Sequence, residues 1–371
     1  KKPSGVWIMA YTTIDKPDDY FDTKLYTGNG SSQTLNMDNL GLLWMKNRTA
    51  TASYRLFDSV RGGYYVSGSP NPILSTDNSN VPGGSDVTSA YGITFGSSSS
   101  TIGSDGGGYN YNQNGKSYVG WQWQAGTSFS NSAGANGATI ASTGSVNTDS
   151  GFSIVKYTGT GSNGTIKHGL NTAPKTVWVK CLNVNYNWTT GWNTPGNNFE
   201  TMLKLNSTAA KEDYAPYFND TDPTSSVFSV GNASNTNVVN NLYIAYCFAD
   251  VKGYSKINSY VGNGSATSGP VVYTGFKPAF VMQKNSVYTG DWNIYDNKRD
   301  PINVVDNFLK ANSSAAAVTN NANNSMDFLS NGFKLRGVDN AGSNWDGNAY
   351  IYMAFAENPF VTSTGIPGLA R

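Results

Sequence analysis

Hydrolysis of glycans is the reaction that the carboxylates of this chain could support, because it needs only two carboxyl groups at a suitable separation. The carboxylates considered for it are Asp58, Asp296, Asp300 and Glu357. Asp58 and Asp296 each stand three positions before an arginine and occupy equivalent places in two segments of similar sequence. The second copy of this segment has Asn193 and Gly196 at the same places. We therefore predict a structural turn with a charge pair rather than a catalytic pair.

Histidine and cysteine are too scarce for the other common reaction centres. His168 is the only histidine, and the chain has no Gly-x-Ser-x-Gly motif of a serine hydrolase, so we expect His168 to make a hydrogen bond in a turn. Cys181 and Cys247 cannot complete a zinc site with one histidine, and we predict two buried free thiols. The Asp- and Asn-rich segments 15–22 and 219–222 lack the spacing of a calcium-binding loop. We predict no enzyme, no metal and no cofactor.

Aromatic residues in loops can stack on sugars, and three of them are predicted to bind a ligand. They are Trp345, Tyr109 and Tyr111. All three lie in Gly- and Asn-rich segments without an evident counterpart elsewhere in the chain, and surface loops are where recognition usually occurs. Most of the other aromatic residues recur at equivalent positions, and we assign those to the core.

The overall composition excludes several classes of protein. The chain has 371 residues, of which 13% are charged, with 25 Lys and Arg against 24 Asp and Glu. This even balance offers no cationic surface for phosphates, so nucleic acid is not expected as a partner. The longest apolar runs, 242–249 and 349–356, are far shorter than the roughly 20 residues of a membrane-spanning helix. Membrane insertion is therefore not expected.

Internal similarity predicts the architecture that must position these residues. A Tyr-x-Gly-x-Gly sequence occurs at 26–30, 157–161 and 260–264. An apolar run that ends in lysine follows each copy, at 42–46, 177–180 and 280–284. An aromatic segment closes each unit, at 118–123, 243–248 and 350–355. We predict an N-terminal extension or attachment segment at 1–19 and three divergent repeat units at 20–150, 151–258 and 259–371.

The repeated segments are short, rich in Val, Ile, Tyr, Trp and Phe, and bounded by Gly, Asn and Pro. This pattern is typical of strands rather than helices. Two stacked antiparallel sheets would bury such strands, so the predicted fold class is all-β, with tandem β-sandwich domains of jelly-roll type. Residues 125–150 are rich in Gly, Ser, Ala and Asn, which favours a linker or a long surface loop between the first two units.

Several sequence motifs resemble a repeat domain found in tail fibres and other virion proteins of marine bacteriophages, especially those of cyanobacteria. The closing motif, Ala354-Phe355-Ala356-Glu357-Asn358-Pro359-Phe360, is the most specific of them. The other matching segments are 16–23, 151–155, 168–170, 222–228 and 327–336. Together they span nearly the whole chain from Lys16 onwards, although the first unit lacks the His-Gly-Leu segment.

The resemblance implies a virion location, a homotrimer and contacts with other virion proteins, and it implies no catalytic residues. We expect a tail-fibre or receptor-binding component that contacts host surface polysaccharide. A capsid decoration or head-fibre protein is the first alternative. A polysaccharide depolymerase of the tailspike kind is the second, since hydrolysis would need only two of the carboxylates.

Overall fold

Strands form most of the regular structure in this chain. A computed structural model describes residues 10–36, 41–67, 71–96, 99–105, 108–339 and 342–368. The strands are β1 (Phe21–Thr27), β2 (Gln33–Leu35), β3 (Gly41–Asn47), β4 (Arg55–Asp58), β5 (Ile93–Phe95), β6 (Ser100–Ile102), β7 (Ser117–Gln124), β8 (Thr127–Asn131), β9 (Ser142–Asn147), β10 (Phe152–Thr158), β11 (Gly164–Lys167), β12 (Thr176–Cys181), β13 (Thr189–Trp192), β14 (Thr201–Leu203), β15 (Glu212–Asp213), β16 (Val227–Val230), β17 (Leu242–Phe248), β18 (Ser255–Val261), β19 (Val271–Tyr273), β20 (Phe276–Asn285), β21 (Asn293–Asp296), β22 (Leu309–Lys310), β23 (Met326–Leu329), β24 (Gly332–Leu335) and β25 (Ala349–Pro359). The helical elements are α1 (Ser234–Asn237) and two 3-10 helices, Pro17–Asp19 and Ala322–Asn324. The predicted all-β class is confirmed.

Three large antiparallel sheets have corresponding strand orders. The first sheet is β1-β7-β3-β4, the second contains β10-β17-β12-β13-β14-β15, and the third is β18-β25-β20-β21-β22. The aromatic strand of each sheet, β7, β17 or β25, pairs on one side with the strand that leads into a Tyr-x-Gly-x-Gly sequence. On its other side it pairs with the apolar strand that carries the lysine. The repeated segments of the sequence therefore occupy the same places in three sheets.

Three smaller sheets complete the sandwiches. Their strand orders are β2-β6-β5, β11-β16 and β19-β24-β23. In the second sandwich, Val155 and Val177 of the large sheet join Phe228 of the small sheet in one buried apolar cluster. The first and third sandwiches have clusters of the same kind. The chain is therefore built from sandwich-type pairs of sheets, as predicted.

The other face of each large sheet contributes to one central core. Along β17, alternate residues belong to different clusters. Ile244, Tyr246 and Phe248 belong to the central core, whereas Tyr243, Ala245 and Cys247 belong to the second sandwich. A period of two is what a strand buried on both faces produces. The strand can therefore serve two cores at once.

Aromatic rings from all three large sheets meet in the central core. The ring centroid of Trp123 lies 6.0 Å from that of Phe248 and 5.5 Å from that of Phe355. Trp44 of the first sheet and Trp178 of the second lie 6.1 Å apart. Because aromatic side chains bury large apolar surfaces, these contacts join the three sandwiches into one body.

Residues 125–150 do not form the predicted linker. They contain the hairpin β8–β9, and β9 pairs with β10, so the second sheet is extended to eight strands. Phe129 lies directly across the hairpin from Gly144, and a Cβ atom added at Gly144 would lie 2.9 Å from the phenyl ring. The small residue makes room for an aromatic cross-strand neighbour. At Gly144 a glycine is therefore required by close packing.

The described part of the predicted attachment segment 1–19 packs on the second and third units. The Tyr11 hydroxyl donates to the carbonyl of Gly275 at 2.8 Å, and the Thr12 hydroxyl donates to the carbonyl of Lys252 at 2.8 Å. Ile14 is buried in the central core. Residues 1–9 lie outside the described residues, so attachment to a neighbouring protein stays a prediction.

Candidate functional site

The repeated Tyr-x-Gly-x-Gly sequences form turns that depend on glycine. A Cβ atom added at Gly28 would lie 2.2 Å from the carbonyl oxygen of Gln113. Gly30 has a φ of +73°, a conformation that side chains disfavour. The buried amide of Asn112 accepts a hydrogen bond from the Asn29 N–H at 3.2 Å and donates to two backbone carbonyls. The motif is therefore explained by structure alone.

Two further buried asparagines hold the second and third turns in the same way. Asn237 accepts from the Thr160 N–H at 2.7 Å, and Asn344 accepts from the Asn263 N–H at 2.9 Å. The sequence analysis did not single out these asparagines. Their only signal is that each stands shortly before an aromatic strand, far from the turn that it binds.

The Asp58 carboxylate forms the predicted charge pair in a buried turn. Its Oδ2 atom lies 2.5 Å from Nε of Arg61, and both side chains are fully buried. The Arg61 backbone N–H also donates to Asp58 Oδ1 at 2.8 Å. The Tyr246 hydroxyl of the second sheet donates to Oδ2 at 2.7 Å. Asp58 therefore joins two sheets, and its oxygens are occupied by structural donors.

Asp296 repeats this arrangement between the third sheet and the first. Arg299 Nε lies 2.7 Å from Asp296 Oδ2, again with both side chains fully buried. The indole N–H of Trp121 donates to the same oxygen at 3.1 Å. The guanidinium of Arg299 also lies 5.7 Å from the centre of a Trp121 ring, a cation–π contact. The prediction of a structural charge pair is confirmed at both positions.

The copy of this position in the second unit differs from the prediction. Strand pairing places Trp192, not Asn193, opposite Thr176, just as Asp58 pairs with Leu42 and Asp296 with Phe280. Counting three residues onwards gives Pro195 in place of the arginine, rather than Gly196. The sequence comparison missed this because a one-residue shift brought the polar Asn193 into line with the aspartates.

Three equivalent lysines form a second set of contacts between the units. Lys46 donates to the carbonyl of Ser314 at 3.0 Å, Lys180 donates to that of Ser79 at 3.0 Å, and Lys284 donates to that of Thr208 at 3.0 Å. Each carbonyl belongs to a different unit from its lysine, so the contacts run around the body as a ring. Burial lowers the pKa of all three ammonium groups to about 8. The sequence analysis found these lysines at the ends of the repeated apolar runs, but it did not predict their hydrogen-bond partners.

His168 and the cysteines take the structural roles expected of them. The backbone N–H of Leu170 donates to His168 Nδ1 at 3.2 Å, and Nε2 lies 3.1 Å from the carbonyl of Thr224. Burial lowers the pKa of His168 to about 4, so the ring is neutral near pH 7. Cys181 and Cys247 are both free and buried. The expected turn hydrogen bond and the two buried thiols are confirmed.

The remaining two candidate carboxylates also have partners. Asp300 accepts from the backbone N–H groups of Asp306 and Asn307 at 3.1 and 2.9 Å. Glu357 pairs with Lys277 at 3.0 Å and helps to line a cavity of about 280 Å³. Within the described ranges, no group of three or more His, Cys, Asp or Glu side chains could hold a metal ion.

Segment 15–22, considered above as a source of calcium ligands, lines the same cavity as Glu357. Asp15, Asp18 and Asp22 are its acidic members. Burial raises the pKa of Asp22, whereas hydrogen bonds from Ser363 lower the pKa of Asp15. The closing motif and segment 16–23, which carry much of the family resemblance, therefore meet at one place.

Of the three aromatic residues predicted to bind a ligand, Tyr111 is fully buried. Its hydroxyl donates to the carbonyl of Tyr91, and it belongs to the core of the first sandwich. A binding role for Tyr111 is therefore wrong. Tyr109 is half-buried, stacks on Tyr111 at 6.0 Å and helps to line a cavity of about 280 Å³ beside Arg55.

Trp345 is half-buried and lies at a repeated position after all. Its backbone N–H donates to the Tyr350 hydroxyl at 3.0 Å, as Gln113 does to Tyr118 and Val238 to Tyr243. The expectation that its segment has no counterpart is wrong, because the three turns share a hydrogen bond but not a side chain. Its ring makes an edge contact of 4.7 Å with the exposed Tyr288. A ligand role for Trp345 and Tyr109 stays a prediction.

These features define an all-β body of sandwich-type sheets around a common core. Residues 16–359 match the family described as Domain of unknown function (DUF7483), and the chain belongs to that family. No curated protein matches the chain. Among the described residues, no helix is long and apolar enough to cross a membrane.

Proposed function

We propose that this chain is a structural and adhesive protein of a bacteriophage virion, a tail-fibre or receptor-binding component that contacts host surface glycans. The virion location rests on the motif resemblance described above. One observation carries the adhesive role: the buried carboxylates and lysines that could do chemistry are used to join the sheets. Asp58, Asp296 and the three lysines around the body have structural partners, which leaves recognition to the surface.

The same proposal includes a homotrimer that contacts other virion proteins. One chain already places three large sheets around one core, so a trimer would not be needed to bury that core. It would instead align three copies of each surface, which strengthens binding to a repetitive glycan through multivalency. Light scattering of the purified chain should then give three times the chain mass.

Localisation on the particle tests the structural part of the proposal. An antibody raised against the chain should label the tail in negative-stain images of intact virions. Label on the capsid face would overturn the tail assignment and favour the capsid decoration or head-fibre alternative. Particles that carry no label would overturn the virion location.

Adsorption tests the adhesive part. The purified chain, added to host cells before the phage, should bind to the cells and reduce phage adsorption. A depolymerase would also release reducing ends from isolated host polysaccharide, and the proposal expects no release. Release that is abolished by Glu357→Gln would replace the adhesive role by the depolymerase alternative.

A further inference from the structure

A groove follows the hairpin β8–β9, which extends the second large sheet. The first and third large sheets have no such extension in their described parts, because no strand pairs with the free edge of β1 or of β18. A cavity of about 590 Å³ lies between the hairpin and Ser59, Val60 and Phe95 of the first unit. A second cavity of about 280 Å³ continues along β9 and β10 and shares Thr143 and Lys156 with the first. Because they share a wall, the two cavities form one elongated depression, which we call the hairpin groove.

One wall of the hairpin groove is a row of hydroxyl groups. Ser128 pairs with Ser145 across the hairpin, Ser130 pairs with Thr143, and Thr143 pairs with Lys156 on the next strand. Directly paired residues of neighbouring strands share a face of the sheet. Four hydroxyls and one ammonium group therefore lie on a single face, and all five residues line one or both of the cavities.

The opposite wall of the hairpin groove is partly apolar, because Val60 and Phe95 belong to it. A sugar ring presents both C–H groups and hydroxyls, so it matches one apolar wall and one wall of hydrogen-bonding groups. The elongated shape suits a chain of sugars better than a compact ligand. The groove thus has the chemistry and the length of a polysaccharide site.

Charge narrows the class of polysaccharide. Lys156 is half-buried, and among the described residues that line the two cavities none carries a carboxylate. Within the described part of the chain, the Lys156 ammonium group makes no hydrogen bond or ion pair. A cation without a counter-ion in a groove of hydroxyls favours an anionic ligand.

We propose that the hairpin groove binds an anionic polysaccharide, with Lys156 on an acidic group and Thr143 on a neighbouring hydroxyl of the sugar chain. This inference rests on the proposed adhesive function and assigns it a site. The hairpin β8–β9, which the repeat pattern does not require, supplies about half of the residues that line the groove.

Binding of defined polymers to the immobilised full-length chain tests the proposal. Alginate and heparin serve as anionic probes, and dextran serves as the neutral probe. Lys156→Gln should weaken binding of the anionic probes about tenfold, as expected for the loss of one charge-assisted hydrogen bond. Thr143→Val, which removes a hydroxyl at nearly constant volume, should weaken it by a smaller factor. Rising ionic strength should weaken wild-type binding as well.

Lys167→Gln is the matched control, because Lys167 is a half-buried lysine of the same unit outside the groove. It should bind like the wild type. Failure of the wild type to bind either anionic probe, equal binding of dextran, or unchanged binding by both groove variants would each overturn the groove assignment. Adsorption to host cells distinguishes failure of the groove assignment from failure of the adhesive function. If a groove variant adsorbs like the wild type, only the groove assignment is overturned. If the wild-type chain does not adsorb, the adhesive function is overturned as well.

Discussion

Two of the interfaces between the large sheets contain a buried ion pair, and the third has an indole ring at the equivalent position. Asp58 meets Tyr246 where the first sheet contacts the second, and Asp296 meets Trp121 where the third contacts the first. The equivalent positions between the second and third sheets are Trp192 and Met353, both in the central core. A carboxylate is thus present where the neighbouring sheet offers an O–H or N–H donor, and an indole ring is present where it offers a thioether.

This difference indicates that each buried aspartate depends on the side-chain donor that the neighbouring sheet supplies. A buried aspartate needs both an arginine and a further donor to offset the loss of water. Where Met353 supplies no donor, a carboxylate would be left under-satisfied, and Trp192 instead stacks against Trp292 with ring centroids 5.8 Å apart. Polar and apolar solutions of the same contact coexist in one molecule.

Removal of one charge should have the largest effect. Asp296→Ala leaves the guanidinium of Arg299 buried without its counter-ion, so the free energy of unfolding should fall by about 3 to 5 kcal/mol. Urea denaturation followed by tryptophan fluorescence measures it. Glu212→Ala is the control, because its ion pair with Lys204 is partly exposed and should contribute about 1 kcal/mol or less. Equal losses of unfolding free energy in the two variants would show that the buried ion pair stabilises the chain no more than the partly exposed one.

Removal of the donor should have an intermediate effect. Tyr246→Phe deletes the hydroxyl that donates to Asp58 while keeping the ring, so we expect a loss of about 1.5 to 3 kcal/mol. Tyr54→Phe is the matched control, since its buried hydroxyl has no hydrogen-bond partner among the described residues; that change should not lower stability, because it removes a buried polar group that makes no hydrogen bond. If both substitutions cost the same, the donor and the charge do not act together.

The lysine contacts, which occur at all three interfaces, should show the smallest effect. Their pKa is about 8 in the folded chain and about 10.4 in an unfolded one. The unfolded chain therefore binds more protons on these lysines, and stability should rise with pH between about 7 and 8.5, by roughly 1 kcal/mol per lysine. Thermal unfolding is measured in that window because burial raises the pKa of tyrosines such as Tyr54, Tyr246 and Tyr254, whose ionisation in the unfolded chain near pH 10 would lower stability.

Substitution of each of the three buried lysines tests whether the three interfaces contribute equally to the pH dependence of stability. Lys46→Met, Lys180→Met and Lys284→Met should each reduce the slope of stability against pH by about one third. The exposed Lys116→Met should leave it unchanged. A slope carried by a single lysine would show that the three interfaces are not equivalent in this respect.

The sequence was sufficient for the strands that recur in the three units and for the two charge pairs, because both follow from local patterns. Alternation and aromatic content predicted the sheets, and the Asp-x-x-Arg spacing closes within a single turn. The position of Trp192 could not be predicted, because only strand pairing fixes which residue lies opposite Thr176. The hairpin β8–β9 was taken for a linker since composition does not show which strand will pair with it.

Contacts between distant parts of the chain account for the other errors. Tyr111 reads as a loop aromatic, but it is buried in the first sandwich by residues remote in sequence. The partners of Lys46, Lys180 and Lys284 are backbone carbonyls, which leave no mark on the sequence. Such contacts are visible only when the sheets are placed together.

The central core also bears on how the molecule responds to force and partial unfolding. Trp123 touches rings of both other sheets, so no sheet can separate without exposing aromatic surface of its neighbours to water. We therefore expect the three sandwiches to open together rather than one at a time, so that a force applied to one sheet is shared by the other two.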